Sequence, residues 1–128
     1  MCKYDPETAP DPSAWLELDE QERTQLVEAY HRKARVKLPG MALHAMIHTI
    51  VENQIAMEMK VALEAMTRLM GEGLSRHDAV HAIGCVLNNH LHNLMLAEDA
   101  DLLANPQGTY EAELERLTVA SWHNEYGE

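Results

Sequence analysis

Phenylalanine is absent from this sequence, and tryptophan and tyrosine together bring the aromatic share to only 5%. With so few large rings, the core must be filled by aliphatic side chains and by the 8 methionines, whose flexible thioethers suit packed helices. No segment shows the alternation of β-branched and polar residues that is typical of a strand. We therefore predict an all-α fold.

Cysteine is also scarce: Cys2 and Cys85 lie far apart, with no CxxC pair and no framework of disulfides. Long apolar runs are missing, since no window approaches the roughly 18 apolar residues of a membrane span, and the N-terminal stretch lacks the apolar core of a signal peptide. These absences argue against a disulfide-stapled secreted protein and against a membrane partner. We expect a cytoplasmic protein.

Positive charge is the third shortage. The 10 lysines and arginines face 21 aspartates and glutamates, so the net charge is -11 at pH 7 and the protein is acidic. The resulting field repels phosphate backbones and anionic lipid, and we expect no nucleic-acid partner. Such a field attracts cations instead. Histidine, with 8 residues in 128, is the metal-binding type that the sequence has in excess.

At 128 residues the chain suits one domain, and we predict a single helical domain over residues 1–128. Three of the five prolines lie in the first 14 residues. Residues 1–17 are therefore predicted to form an irregular arm, which Trp15 and Leu16 anchor to the body. The remainder is predicted to form a small bundle of about four to five helices.

Local start and stop signals indicate where these helices lie. Ser75 followed by Asp78 is typical of a capping box, which starts the fourth helix. "GEG" at 71–73 ends the third, while the second and third helices are either separate or continuous. In chain order the predicted helices cover about 19–37, 41–59, 60–70, 76–96 and 109–122.

The stretch "HAMIHTIVE" places His44, His48 and Glu52 at intervals of four residues. Residues i and i+4 lie one above the other on a helix, so these side chains form one row of nitrogen and oxygen donors. The row borders the apolar stripe of the same helix, which predicts a position near the core.

A second pair, His77 and His81 in "RHDAVH", repeats the spacing. Random placement of 8 histidines in 128 residues gives about 0.5 such pairs, against the two present, so the pattern is suggestive rather than specific. If the two helices pack antiparallel through their apolar stripes, the two pairs face each other.

Imidazole and carboxylate donors suit a divalent transition metal: zinc is the preferred interpretation, with nickel, iron, manganese or copper as alternatives. The predicted ligands are His44, His48, Glu52, His77 and His81. Glu52 acts either as the fifth ligand or, where the site keeps an open position, as the general base of a metal-assisted hydrolysis.

Two interpretations without turnover stay open. A closed ligand set makes a metal-stabilised structural or sensing module, whereas four histidines that the core itself satisfies make a metal-free helical interaction module. The sequence indicates no partner for such a module. Apolar surface on short amphipathic helices is compatible with a homodimer, but nothing in the sequence establishes one.

Two further polar residues are predicted to lie at the surface. His31 ends "EAYH", an ExxH motif that carboxylate-bridged di-iron bundles need on two helices. Because the motif occurs once, His31 is predicted to lie on a solvated helix face. Asn53, in "ENQ", is likewise predicted to be exposed.

The combination of "HAMIHTIVENQIA" with "GLSRHDAVHAIG" resembles small bacterial proteins of unknown function that carry an H-x3-H-x3-E-N-Q segment followed by an R-H-x-A-x-H-x-I-G segment. The resemblance covers about the middle third of the chain and implies a shared helical fold with shared histidine pairs, but no reaction. The matching residues are His44, His48, Glu52, Asn53 and Gln54, then Arg76, His77, Ala79, His81, Ile83 and Gly84.

Overall fold

The computed structural model describes residues 4–33, 41–96 and 103–126. Within these ranges every regular element is a helix, which confirms the all-α prediction, and the seven helices exceed the four to five predicted. Residues 38–40, which separate the first two predicted helices, lie outside the described residues. The helices are α1 Pro12–Glu17, α2 Glu20–Lys33, α3 Met41–Ala56, α4 Lys60–Gly71, α5 Arg76–Met95, α6 Pro106–Arg116 and α7 Val119–Tyr126.

Among the described residues, the irregular N-terminal segment runs from residue 4 to Asp11, which corrects the prediction that the arm extends to residue 17. Asp11 caps α1 by accepting a hydrogen bond from the Ala14 N–H at 3.0 Å, and Pro12 occupies the first turn, where a missing N–H costs nothing. Trp15 is fully buried, as predicted for an anchor, whereas Leu16 is 38% exposed. One residue rather than two therefore anchors this region.

The chain divides into two compact units, Met1–Met59 and Lys60–Glu128. That they form one domain stays a prediction. In unit 1, α3 packs against both α1 and α2. The Asp19 carboxylate begins α2 by accepting a hydrogen bond from the Glu22 N–H at 2.8 Å, and this bond lowers the pKa of Asp19. One cluster of buried apolar residues in unit 1 contains Tyr4, Trp15, Val27, Ala45 and Ala56, and Ile47 and Val51 of α3 are buried as well.

The end of α3 settles whether the predicted second and third helices are continuous. The Met59 N–H donates to the Gln54 carbonyl at 2.9 Å and the Glu58 N–H to the Ile55 carbonyl at 3.0 Å, which is the hydrogen-bond pattern of a Schellman cap. Glu58 takes the left-handed conformation that this cap requires, with φ of 58°. The two helices are therefore separate.

In unit 2, α4, α5 and α6 pack against one another in pairs. Gly73, with φ of 111°, provides the left-handed residue that ends α4, so the "GEG" stop signal is confirmed. Ser75 caps α5 by accepting from the Asp78 N–H at 3.1 Å, as the capping-box pattern predicts. Fully buried side chains of this unit are Ala62, Ala65, Leu69, Ala79, Val80, Ala82, Ile83 and Leu114.

The predicted last helix is two helices, α6 and α7, because side chains of α4 hold the break between them. Arg68 donates to the Leu114 carbonyl at 2.6 Å and to the Leu117 carbonyl at 2.7 Å at the end of α6. Glu72 accepts from the Val119 N–H at 2.8 Å, at the start of α7. Among the described helices, none has the combination of length and apolar content needed to cross a membrane.

Candidate metal centre

The first predicted row of donors lies on α3 in unit 1. The ring centroids of His44 and His48 are 4.3 Å apart, and Glu52 follows His48 by one helical turn. His48 and Glu52 are each only 1% exposed, as the neighbouring apolar stripe predicts, while His44 is half-buried. Two imidazoles and a carboxyl group therefore line one side of α3.

The carboxyl group of Glu52 is held by a residue of the N-terminal arm. The Tyr4 hydroxyl donates a hydrogen bond to Glu52 Oε2, and the Tyr4 ring packs against Trp15 and Tyr30 at centroid distances of 5.8 and 6.1 Å. Sequence reasoning missed Tyr4, because it lies in a proline-rich segment without periodicity. Nothing in the local pattern relates a residue there to one 48 positions later.

His31 is buried, with 1% exposure, so the prediction of a solvated position is wrong. Its Nδ1 donates to the Val27 carbonyl at 2.8 Å, and its ring centroid lies 4.8 Å from that of His44 and 5.2 Å from that of His48. The physical reason is the packing of α2 on α3. Val27 is fully buried one turn before His31, and this spacing was the available sequence signal.

Asn53 is also buried rather than exposed, with 8% exposure. Its Oδ1 accepts from Trp15 Nε1 at 2.9 Å and from Arg23 Nη1 at 3.0 Å, and its Nδ2 donates to Glu20 Oε1 at 3.2 Å. The amide thereby ties α3 to both α1 and α2. These bonds hold in place the helix that carries the donor row.

The second predicted pair lies on α5 in unit 2. His77 and His81 are both half-buried and one helical turn apart, and the ring of His81 contacts that of Trp122 at a centroid distance of 6.1 Å. His90, on the same helix, is buried against Tyr110 at 5.4 Å, which fits a structural role. That His77 and His81 contribute to a common site with the first row stays a prediction.

The imidazoles of unit 1 are close enough for shared coordination. Ring nitrogens of His31 and His48 lie within 4.8 Å of each other, and so do those of His44 and His48. Two nitrogens that each lie about 2.1 Å from one ion are at most about 4.2 Å apart. The nitrogens of each pair therefore lie at most about 0.6 Å beyond the largest separation that one ion allows.

Comparisons with protein-family models, with curated proteins and with solved structures find no match to this chain. The resemblance to small bacterial proteins of unknown function stays a prediction.

Proposed function

We propose that this chain is a metal-binding helical protein whose ion is held by His44, His48 and Glu52 on α3, with His77 and His81 as the further ligands that the sequence predicts. One observation carries the proposal: His48 and Glu52 are both 1% exposed and one turn apart. Imidazole nitrogen and carboxylate oxygen are both ligands of divalent transition metals, and the four-residue spacing places them on the same side of α3.

The donor set favours zinc among the divalent ions. Imidazole nitrogens with one carboxylate oxygen bind zinc at distances of about 2.0–2.2 Å and suit its tetrahedral preference. Nickel, iron, manganese and copper accept the same donors and are the alternatives. The net charge of -11 favours the accumulation of any cation near the protein.

The burial of Glu52 supports the role of a ligand over that of a general base. A base in metal-assisted hydrolysis must reach a water molecule that enters from solvent, and the carboxyl group of Glu52 is enclosed and bonded to Tyr4. The proposed site is accordingly closed, and its ion stabilises the fold or reports metal availability. Hydrolysis requires an open coordination position.

The test is the metal content of untagged full-length protein that is purified without chelators. We expect about one equivalent of a transition metal by elemental mass spectrometry. His48→Gln should lose it, whereas His123→Gln, a control at an exposed position on α7, should retain it. Wild-type protein that stays metal-free after reconstitution with zinc would exclude the proposal.

Glu52→Gln separates the closed site from a hydrolytic one. If Glu52 is a ligand, the variant binds zinc at least about 10-fold more weakly, and the loaded wild type hydrolyses neither ester nor phosphoester substrates. If Glu52 is instead a base, the variant keeps the metal and loses a measurable hydrolytic activity of the wild type.

The second candidate is a metal-free helical interaction or structural module, and the bond from Tyr4 to Glu52 favours it. A carboxyl group that accepts a phenolic hydrogen bond already has a partner inside the protein. This candidate predicts that replacing His44, His48, His77 and His81 by Gln leaves folding and oligomeric state intact. Circular dichroism and sedimentation of that quadruple variant distinguish the two candidates.

A further inference from the structure

His31 is the one buried imidazole near the donor row that neither histidine pair includes, and it comes from a different helix. It rises from α2, whereas His44 and His48 belong to α3. The three ring centroids form a triangle with sides of 4.3, 4.8 and 5.2 Å. The three imidazole rings therefore lie close together inside unit 1.

The hydrogen bond of His31 determines which of its nitrogens can bind an ion. Its Nδ1 is 2.8 Å from the Val27 carbonyl oxygen, which can only accept, so Nδ1 must carry the proton. In the neutral ring the lone pair is then on Nε2. Histidines that bind metals almost always donate their other N–H to a carbonyl or carboxylate, because this fixes the orientation of the ring.

His31 would add a donor from a second helix of unit 1. His44 and His48 provide two imidazole nitrogens from α3, and imidazole is a preferred zinc ligand. A nitrogen of His31 lies within 4.8 Å of one of His48. Nε2 of His31 would add a third imidazole nitrogen from unit 1.

We infer that His31, through Nε2, is a ligand of the ion that His44 and His48 hold, with Val27 as the acceptor that orients its ring. This inference rests on the proposed function and goes beyond it, since neither histidine pair nor the motif that surrounds them contains His31. The ligand set then joins α2 to α3, so that the ion cross-links two helices of unit 1.

The first experiment measures zinc affinity of metal-free, full-length protein by competition with a chromophoric chelator. His31→Gln should weaken binding by on the order of 100-fold or more, because it removes a ligand and not only its support. His90→Gln is the matched control: His90 is also a buried helical histidine, and it packs against Tyr110 in unit 2. The control should bind within about 2-fold of wild type.

A second measurement does not depend on how well the variant folds. Wild-type protein labelled with ¹⁵N is loaded with ¹¹³Cd²⁺ as the zinc probe, and one-bond coupling between cadmium and histidine nitrogens is recorded. We expect coupling to Nε2 of His31 and none to its Nδ1. Coupling at His44 and His48 without coupling at His31 would overturn the inference.

The outcomes separate this inference from the proposed function. Wild type that binds zinc, together with a His31→Gln variant of equal affinity, overturns the role of His31 and leaves metal binding by the α3 row standing. Wild type that binds neither zinc nor cadmium overturns both. A weakened variant together with cadmium coupling at Nε2 establishes His31 as a ligand.

Discussion

The interiors of the two units are built from different side chains. Among the described residues, the buried polar side chains of unit 1 are His31, His48, Thr49, Glu52 and Asn53, whereas those of unit 2 are Arg76 and His90. The other buried side chains of unit 2 are apolar and include Leu69 and Ile83, both fully buried. The unit with the smaller apolar core thus carries most of the buried polar groups.

The difference indicates how stability and function are divided along the chain. Aliphatic burial stabilises a fold at about 25 cal/mol per Å² of apolar surface, while a buried polar group contributes little net free energy and costs stability when a partner is lost. Unit 2 is expected to provide apolar stability. The interior of unit 1 instead contains polar side chains, three of which, His31, His48 and Glu52, are proposed ligands of an ion.

The largest expected effect tests the apolar core of unit 2. Leu69→Ala should lower the free energy of unfolding by about 3–5 kcal/mol, because it leaves a cavity at a position with no exposure. Met70→Ala, one residue later and 45% exposed, is the control and should change it by less than about 1 kcal/mol. Urea denaturation followed by circular dichroism measures both. Equal losses would contradict a core centred on Leu69.

A smaller effect is expected from the polar interior of unit 1. Asn53→Ala should cost about 2–3 kcal/mol, because Trp15 Nε1 and Arg23 Nη1 both lose their acceptor. The control is Asn88→Ala, at an exposed position on α5, which should be nearly neutral. If both variants unfold at the same urea concentration, the Asn53 amide does not hold unit 1 together.

Tyr4→Phe separates the stability of unit 1 from its proposed ion. The variant keeps the ring contacts with Trp15 and Tyr30 but removes the donor to Glu52, so metal-free protein should lose about 1–2 kcal/mol. Zinc affinity should fall by about 10–100-fold, as for other groups that orient a ligand. Tyr126→Phe, in unit 2, is the control for both measurements. Unchanged zinc affinity in Tyr4→Phe would mean that this hydroxyl does not orient Glu52 for binding.

The smallest expected effect is a pH dependence that belongs to unit 2. Burial, with the negative charges of Glu125 and Glu113, raises the pKa of the Tyr126 phenol. A raised folded-state pKa contributes stability that is complete below the unfolded value of about 10 and is lost as the pH rises through the folded-state value. The melting temperature of Tyr126→Phe should therefore fall less than that of wild type between about pH 9 and about pH 12. Parallel curves would exclude this contribution.

Helix boundaries were predictable where the signal is local. Ser75 and Gly73 act through hydrogen bonds within a few residues, and both mark the ends that the sequence predicts. The break between α6 and α7 had no such signal, because Arg68 and Glu72 of α4 bind the backbone there. Glu58 ends α3 in a left-handed conformation that a glutamate adopts only when surrounding contacts compensate for it.

The residues of the candidate site were likewise predictable only where the sequence signal is local. The row of His44, His48 and Glu52 was predictable, since four-residue spacing on a helix sets their common side by backbone geometry alone. His31 and Asn53 were predicted to lie at the surface, and no role was predicted for Tyr4. Their burial depends on which faces α1 and α2 turn toward α3, and that is a property of packing rather than of spacing.

By itself, the sequence determined that this protein is helical, that it is acidic, and that two pairs of histidines lie one turn apart on α3 and α5. These follow from composition and from a helical period that depends only on hydrogen bonds between near neighbours. Only the tertiary structure decided that an imidazole of α2 and a phenol of the N-terminal arm join the row on α3. Contacts between segments distant in the chain are chosen by the packing of whole helix faces, which no local pattern specifies.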